Sequence, residues 1–284
     1  MTREELYSTI YTHETIYRPP EEANSALLEV ALGCSWGKCA FCDFAKDPFS
    51  VLPMDQIRYN ARVLGRLEPE KTRVFLLGEN ALSLGMDKLR EIFAIIRENM
   101  PQVTEVAMYA RVDDVQRKTT QELEELHQLG LKAVHVGVES GSDCILLDMN
   151  KGVTSFDMVT QFARLDAAGI EYFVTVILGL GGRTFRNLHA LETARLLNRC
   201  HPKQIWCLAL KLWPDTPLYK RWKRGEFEMM TPREMLVEER ILVEALTVTD
   251  CHYMDTTVLQ QFTIQGDLPE DKSLILRAID RLLG

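Results

Sequence analysis

Three cysteines fall within the nine residues CSWGKCAFC, at Cys34, Cys39 and Cys42, with Phe41 immediately before the third. Thiolates at this spacing on one loop can bind a single metal centre from one side. A zinc knuckle needs a fourth ligand. The chain offers no second CxxC or HxxxH pair, although the adjacent Cys251 and His252 could supply one ligand. A buried cluster without metal is another reading. The remaining one is an iron–sulfur cluster on three cysteines, which leaves one iron free to take a small molecule and pass it an electron. The other four cysteines, Cys144, Cys200, Cys207 and Cys251, are scattered without the regularity of a disulfide framework, so we expect them to be small buried hydrophobes.

The elements that must position this loop follow a repeating pattern. The apolar run at 26–33 has strand length and ends on a glycine, delivering the chain into the cysteines. A helical pattern at 53–67 precedes a strand at 73–80. Helices at 86–99, 119–130, 155–169 and 185–200 then alternate with strands at 103–111, 132–141, 171–182 and 204–213. Strands of continuous apolarity separated by amphipathic helices predict a parallel sheet, with functional groups collected at the carboxyl ends of its strands. Those ends read GCSWGKC, GEN, YAR, GVESGSD, LGLGG and KLWPDTP. Beyond residue 214 the rhythm stops, and 251–271 reads as an irregular connection between helices.

The 284 residues are 46% apolar and 26% charged, which predicts a compact globular protein. A net charge of -8 disfavours nucleic acid as a partner, despite the local basic stretch KRWKRG at 220–225. The N-terminal residues are polar where a signal peptide needs an apolar core, and no run reaches membrane-spanning length. These features predict a cytoplasmic protein with no membrane association.

The cysteine motif, placed after the first strand of a six-step β/α chain, resembles that of the radical S-adenosylmethionine (SAM) superfamily. The usual spacing there has three residues between the first two cysteines; this chain has four, Ser35 to Lys38. Four further segments are similar to the branch containing methylthiotransferases, the Elongator catalytic subunit and oxygen-independent coproporphyrinogen oxidase. They are GEN at 78–80, GVESGSD at 137–143 with MNKG at 149–152, VTVILGLGG at 174–182, and PDTPLY at 214–219.

The resemblance implies an α/β fold, a partial (β/α)6 TIM-type barrel of parallel strands at 25–214. A leader at 1–24 precedes it, and a short, mostly helical C-terminal extension at 215–284 covers the active site. It implies a [4Fe-4S] cluster on Cys34, Cys39 and Cys42, with SAM on the open iron. Gly78, Glu79 and Asn80 would hold the methionine amino group. Glu139 would reach the nucleoside or amino acid part, and Lys151 would pair with the methionine carboxylate. Thr175 would meet the ribose, and Leu178 and Gly179 would back the adenine, with Phe41 beside the cluster. Arg111 would hold a carboxylate or phosphate, or else pair with Asp113 or Asp114.

By the same resemblance, reductive cleavage of SAM would give a 5'-deoxyadenosyl radical that takes hydrogen from substrate. The reductant would be a protein such as flavodoxin or ferredoxin. Cys251, His252 and Tyr253, clustered in CHYMDTT, are candidate substrate-contacting residues, or simply part of a connector. The lack of a second cysteine cluster, an upstream cobalamin-type domain or a basic appendage favours a small molecule or peptide as substrate. An iron–sulfur electron-transfer or redox-sensing protein and a zinc-stabilised binding barrel remain the alternatives.

Overall fold

The computed structural model describes residues 2–44, 47–259 and 261–284. Its main strands are β1 (Ala26–Glu29), β2 (Arg73–Leu77), β3 (Glu105–Ala110), β4 (Leu131–Glu139), β5 (Glu171–Leu178), β6 (Gln204–Ala209), β7 (Cys251–Asp255) and β8 (Ile264–Leu268). The longer helices are α1 (Met54–Leu67), α2 (Met86–Asn99), α3 (Thr120–Leu129), α4 (Ser155–Ala168), α5 (Gly182–Leu197), α6 (Pro232–Ala245) and α7 (Lys272–Leu283). The strands are ordered β1 to β8. The chain is an α/β protein with a mainly parallel sheet, as the sequence pattern predicts.

The chain divides into two compact units. The first comprises Met1–Gly37, Phe44–His135 and Ala168–Ile170; the second comprises Lys38–Asp43, Val136–Ala167 and Glu171–Gly284. β4 contributes its first residues to one unit and its last to the other.

In the first unit β1 pairs in parallel with β2 from Ala26↔Val74 to Glu29↔Leu77, and β2 with β3 from Arg73↔Glu105 to Leu76↔Met108. Val74, Phe75 and Leu76 are fully buried, which is why β2 reads as an unbroken apolar run. α1 turns Ile57, Ala61 and Leu64 inward at helical spacing. The leader is not a loose tail. Ile10 is buried, and the short turn Pro20–Asn24 sends Glu22 into the interior, where it meets Arg73 of β2 and His135 of β4.

In the second unit β5 pairs in parallel with β6 and β6 with β7, whereas β8 closes the edge antiparallel to β7. α6 begins with Thr231, Pro232 and Glu234, in which the Thr231 hydroxyl and the Glu234 carboxylate cap each other's backbone amides.

The expected architecture of the C-terminal residues needs correction here. The segment 251–268 is not an irregular connection: Cys251–Asp255 and Ile264–Leu268 are strands, and the C-terminal residues supply two strands of the sheet as well as helices. CHYMD lacks the β-branched run that marks a strand, and its pairing partner, β6, lies more than forty residues earlier. Among the described residues no helix is long and apolar enough to cross a membrane.

Candidate functional site

In the first unit the site residues gather at the ends of β1, β2 and β3. Gly78 follows β2 at φ 135°, and a Cβ there would lie 3.0 Å from the Ala31 Cβ and 3.2 Å from the Ala31 carbonyl oxygen. Only glycine lets the two backbones approach this closely. Glu79 comes next; its Oε2 is buried and has no hydrogen-bond partner among the described residues. Burial raises its carboxyl from its ordinary value.

Asn80 ties the cysteine loop to the neighbouring strand end. Its Oδ1 accepts from the Ser35 amide at 3.1 Å, and its Nδ2 donates to the Ser35 hydroxyl at 2.7 Å and to Asp114 Oδ2 at 2.9 Å. Arg111, ending β3, is buried. Its Nε donates to Asp113 at 2.8 Å, and its guanidinium lies 5.3 Å from the centre of the Trp36 ring. Pairing with Asp113 is therefore the arrangement found for Arg111. Asp114, named in the sequence only as an alternative partner of Arg111, is pushed up to about 6 by burial, against hydrogen bonds from the Arg111 amide and Asn80.

In the second unit the other two cysteines are held by backbone and apolar packing. The Ala40 amide donates to the Met149 carbonyl at 2.8 Å, and the Leu218 amide donates to the Ala40 carbonyl at 2.8 Å. Phe41 is buried with Ile145, Met149, Leu180 and Leu210, and Cys39 and Cys42 pack against the same cluster. The aromatic before the third cysteine thus anchors the loop.

Glu139, Lys151 and Thr175 form one hydrogen-bonded group. Lys151 Nζ donates to Glu139 Oε1 at 2.9 Å, and the Thr175 hydroxyl donates to Glu139 Oε2 at 3.1 Å. A Cβ at Gly137 would lie 2.0 Å from Glu139 Oε1, so a larger residue there would displace the Glu139 carboxylate from this arrangement. Each Glu139 oxygen has spare acceptor capacity. Leu178 ends β5 in the core, and Gly179 follows at φ 88° with Leu210 and Met235 packed against it.

The residues of CHYMD do other work. Cys251 and Tyr253 turn inward from β7, and the Tyr253 hydroxyl donates to Glu239 Oε1 at 2.9 Å. His252 pairs with Asp267 across the antiparallel ladder at 2.7 Å. Sequence reasoning missed Glu238 and Glu239, both buried. Burial, together with nearby Asp255, pushes the Glu239 carboxyl up to about 8. A signal was present: in α6 both glutamates sit among Met235, Leu236, Leu242 and Val243, on the stripe that an amphipathic helix buries.

The cysteines differ in chemistry. Cys34, Cys39 and Cys42 are partly exposed free thiols; Cys200, Cys207 and Cys251 are buried as expected, whereas Cys144, expected to be buried with them, is exposed. Burial pushes Cys200 and Cys251 up to about 12, so they make poor thiolate ligands. Among the described residues no three His, Cys, Asp or Glu side chains gather into a ready metal-holding group. Assignment of the ligand set therefore rests on the motif.

Residues 28–194 match the Radical SAM superfamily model. The chain is 24% identical to the heme chaperone HemW of Bacillus subtilis over 211 residues, covering 70% of this chain and 54% of that protein. It is 23% identical to the tRNA-2-methylthio-N(6)-dimethylallyladenosine synthase of a Sulfurihydrogenibium species over 213 residues, 69% of this chain and 46% of the relative. The chain thus spans about half the length of these curated relatives. The structure of coproporphyrinogen III oxidase HemN from Escherichia coli, described as a radical SAM enzyme, superposes with a TM-score of 0.60 at 14% identity. That match covers 86% of this chain and 56% of the other, and it shows a shared α/β partial-barrel fold. With more than half of its length matched by the family model, the chain belongs to the radical SAM superfamily.

Proposed function

We propose that the chain is a SAM-dependent enzyme in which Cys34, Cys39 and Cys42 hold a [4Fe-4S] cluster and the strand-end residues hold SAM. The observation that carries this reading is Glu79 Oε2, a buried carboxylate oxygen just past β2 with no hydrogen-bond partner among the described residues. A buried acceptor without a donor is costly, and a ligand ammonium would satisfy it. The three accessible thiols suit the cluster, since thiolates are its usual ligands and three leave one iron open.

When bound, the cluster and SAM supply a one-electron cleavage that yields methionine and a hydrogen-abstracting 5'-deoxyadenosyl radical. This chain's part is to bind and orient. Phe41 holds the loop between Cys39 and Cys42 in its apolar cluster. Gly78 and Asn80 fix the backbone around Glu79, and Arg111, braced by Asp113, lines the same strand ends. Lys151 would take the methionine carboxylate by sharing its ammonium between that group and Glu139, while Glu139 and Thr175 would offer acceptors to the ribose. Leu178 and Gly179 would give the adenine an apolar edge. The reductant would be flavodoxin or ferredoxin, and the substrate a small molecule or peptide.

The test is anaerobic reconstitution with iron and sulfide, followed by reduction in the presence of SAM. About four irons and four sulfides per chain are expected, with release of 5'-deoxyadenosine, and a Cys39→Ala chain should lose the cluster. Bound zinc without sulfide would sink the reading. An intact reduced cluster that releases no 5'-deoxyadenosine would leave an electron carrier instead.

A further inference from the structure

We infer that His189 and Glu238 are a positioning pair that sets the ends of β4 and β5 for SAM; this rests on the reading of Glu139 and Gly179 as SAM contacts. Both side chains are inside the second unit, with His189 1% and Glu238 0% exposed. His189 Nε2 lies 3.1 Å from the Glu139 carbonyl oxygen, and Nδ1 lies 3.0 Å from Glu238 Oε1. Glu238 Oε2 accepts the Gly179 amide at 2.6 Å. Both ring nitrogens and both carboxylate oxygens are engaged, and the bonds run from one strand end to the next. A carbonyl can only accept, so Nε2 carries a hydrogen.

The backbone explains what the pair does. Glu139 sits at φ 63°, a left-handed conformation that a non-glycine residue keeps only when its surroundings impose it. That torsion directs the carboxylate toward Lys151 and Thr175. His189 holds the carbonyl of this same residue. One turn further along α5, the Thr193 hydroxyl accepts the Gly141 amide at 2.9 Å, so the helix grips the β4 loop at two points spaced i, i+4. Gly179, also left-handed at φ 88°, is held from the other side by Glu238 on α6. Buried polar side chains are costly unless fully paired, and here each of the two is paired to a backbone group of a proposed SAM contact.

The experiment measures the dissociation constant for SAM on cluster-loaded protein, with the SAM-induced change in the spectrum of the reduced cluster as a second readout. Iron content and thermal midpoint are recorded for each variant. His189→Leu and Glu238→Ala should weaken SAM binding about tenfold or more while retaining iron, because the strand ends lose the bonds that orient them. His189→Gln keeps a donor for the Glu139 carbonyl. Glu238→Gln keeps an acceptor for Gly179 and gains a donor for Nδ1. Both should bind within about threefold of the parent protein, and both keep the test decisive if the harsher variants do not fold.

Parent-like affinity and spectra in His189→Leu and Glu238→Ala would overturn the inference. So would equal losses in the conservative and harsh variants, because hydrogen-bond geometry would then be irrelevant. Glu139→Ala separates the two layers of argument. If it leaves SAM affinity unchanged, the SAM reading of Glu139 itself fails; if it weakens binding while His189→Leu does not, only the positioning role fails.

Discussion

Glu22 is fully buried, and its carboxylate accepts from Arg73 at 2.7 Å, from His135 at 3.0 Å and from the Ser25 hydroxyl. Burial alone would raise its carboxyl, but the hydrogen bonds from His135, Arg73 and Ser25 outweigh it and hold the group at about 2. A carboxyl lowered in the folded state stabilises the protein above its unfolded value, near 4.5, and that contribution is lost as the pH falls toward 2. Glu22→Gln should therefore cost about 2–3 kcal/mol at neutral pH and flatten the acid limb of stability between those values. Urea denaturation from pH 7 to 2 checks this; parallel curves for the two proteins would refute it. Nothing in PPEEANS distinguishes Glu22 from Glu21, since its partners lie 51 and 113 residues away.

At the scale of elements, close packing between β4 and α5 decides which residues the β4 loop tolerates. A Cβ on Gly141 would lie 2.6 Å from the Thr193 Cα and 2.7 Å from the Glu192 carbonyl carbon, both backbone atoms that cannot move without the helix. Gly141→Ala should destabilise the protein by about 2–4 kcal/mol, read as a fall in the denaturation midpoint with an unchanged slope. The glycines of GVESGSD thus serve two purposes: Gly137 leaves room for the Glu139 carboxylate, and Gly141 admits a helix. Elements with local signatures were legible. α3 and α6 announce themselves by Thr119 with Glu122 and by Thr231 with Glu234, and α3 ends on the left-handed Gly130. β7 and β8 were not legible, because their pairing is long-range and their composition unremarkable for strands.

Across the whole chain, the C-terminal residues are part of the sheet. β7 lies against β6 from Gln204↔His252 to Cys207↔Asp255, and Tyr253, Ile264, Leu268, Ile275 and Ile279 are buried. Removing residues 249–284 would expose one side of β6 and take away Tyr253, the hydrogen-bond partner of the buried Glu239. The truncated chain should be insoluble or unfold without cooperativity, as judged by soluble yield and denaturant titration. A soluble, cooperatively folding product would mean that this segment is a detachable cover.

The sequence by itself determined the chemistry class and the strand–helix rhythm. Cysteine spacing, apolar periodicity and helix caps are written over a few neighbouring residues and depend on backbone geometry alone. Only the tertiary structure decided which polar residues work together. Glu139 meets Thr175 across 36 positions, Gly179 meets Glu238 across 59, and Tyr253 in a presumed connector proves to be the partner of a buried Glu239. Such pairs exist because burial forces each polar group to find a partner wherever the fold brings one, and that choice leaves no local pattern to read.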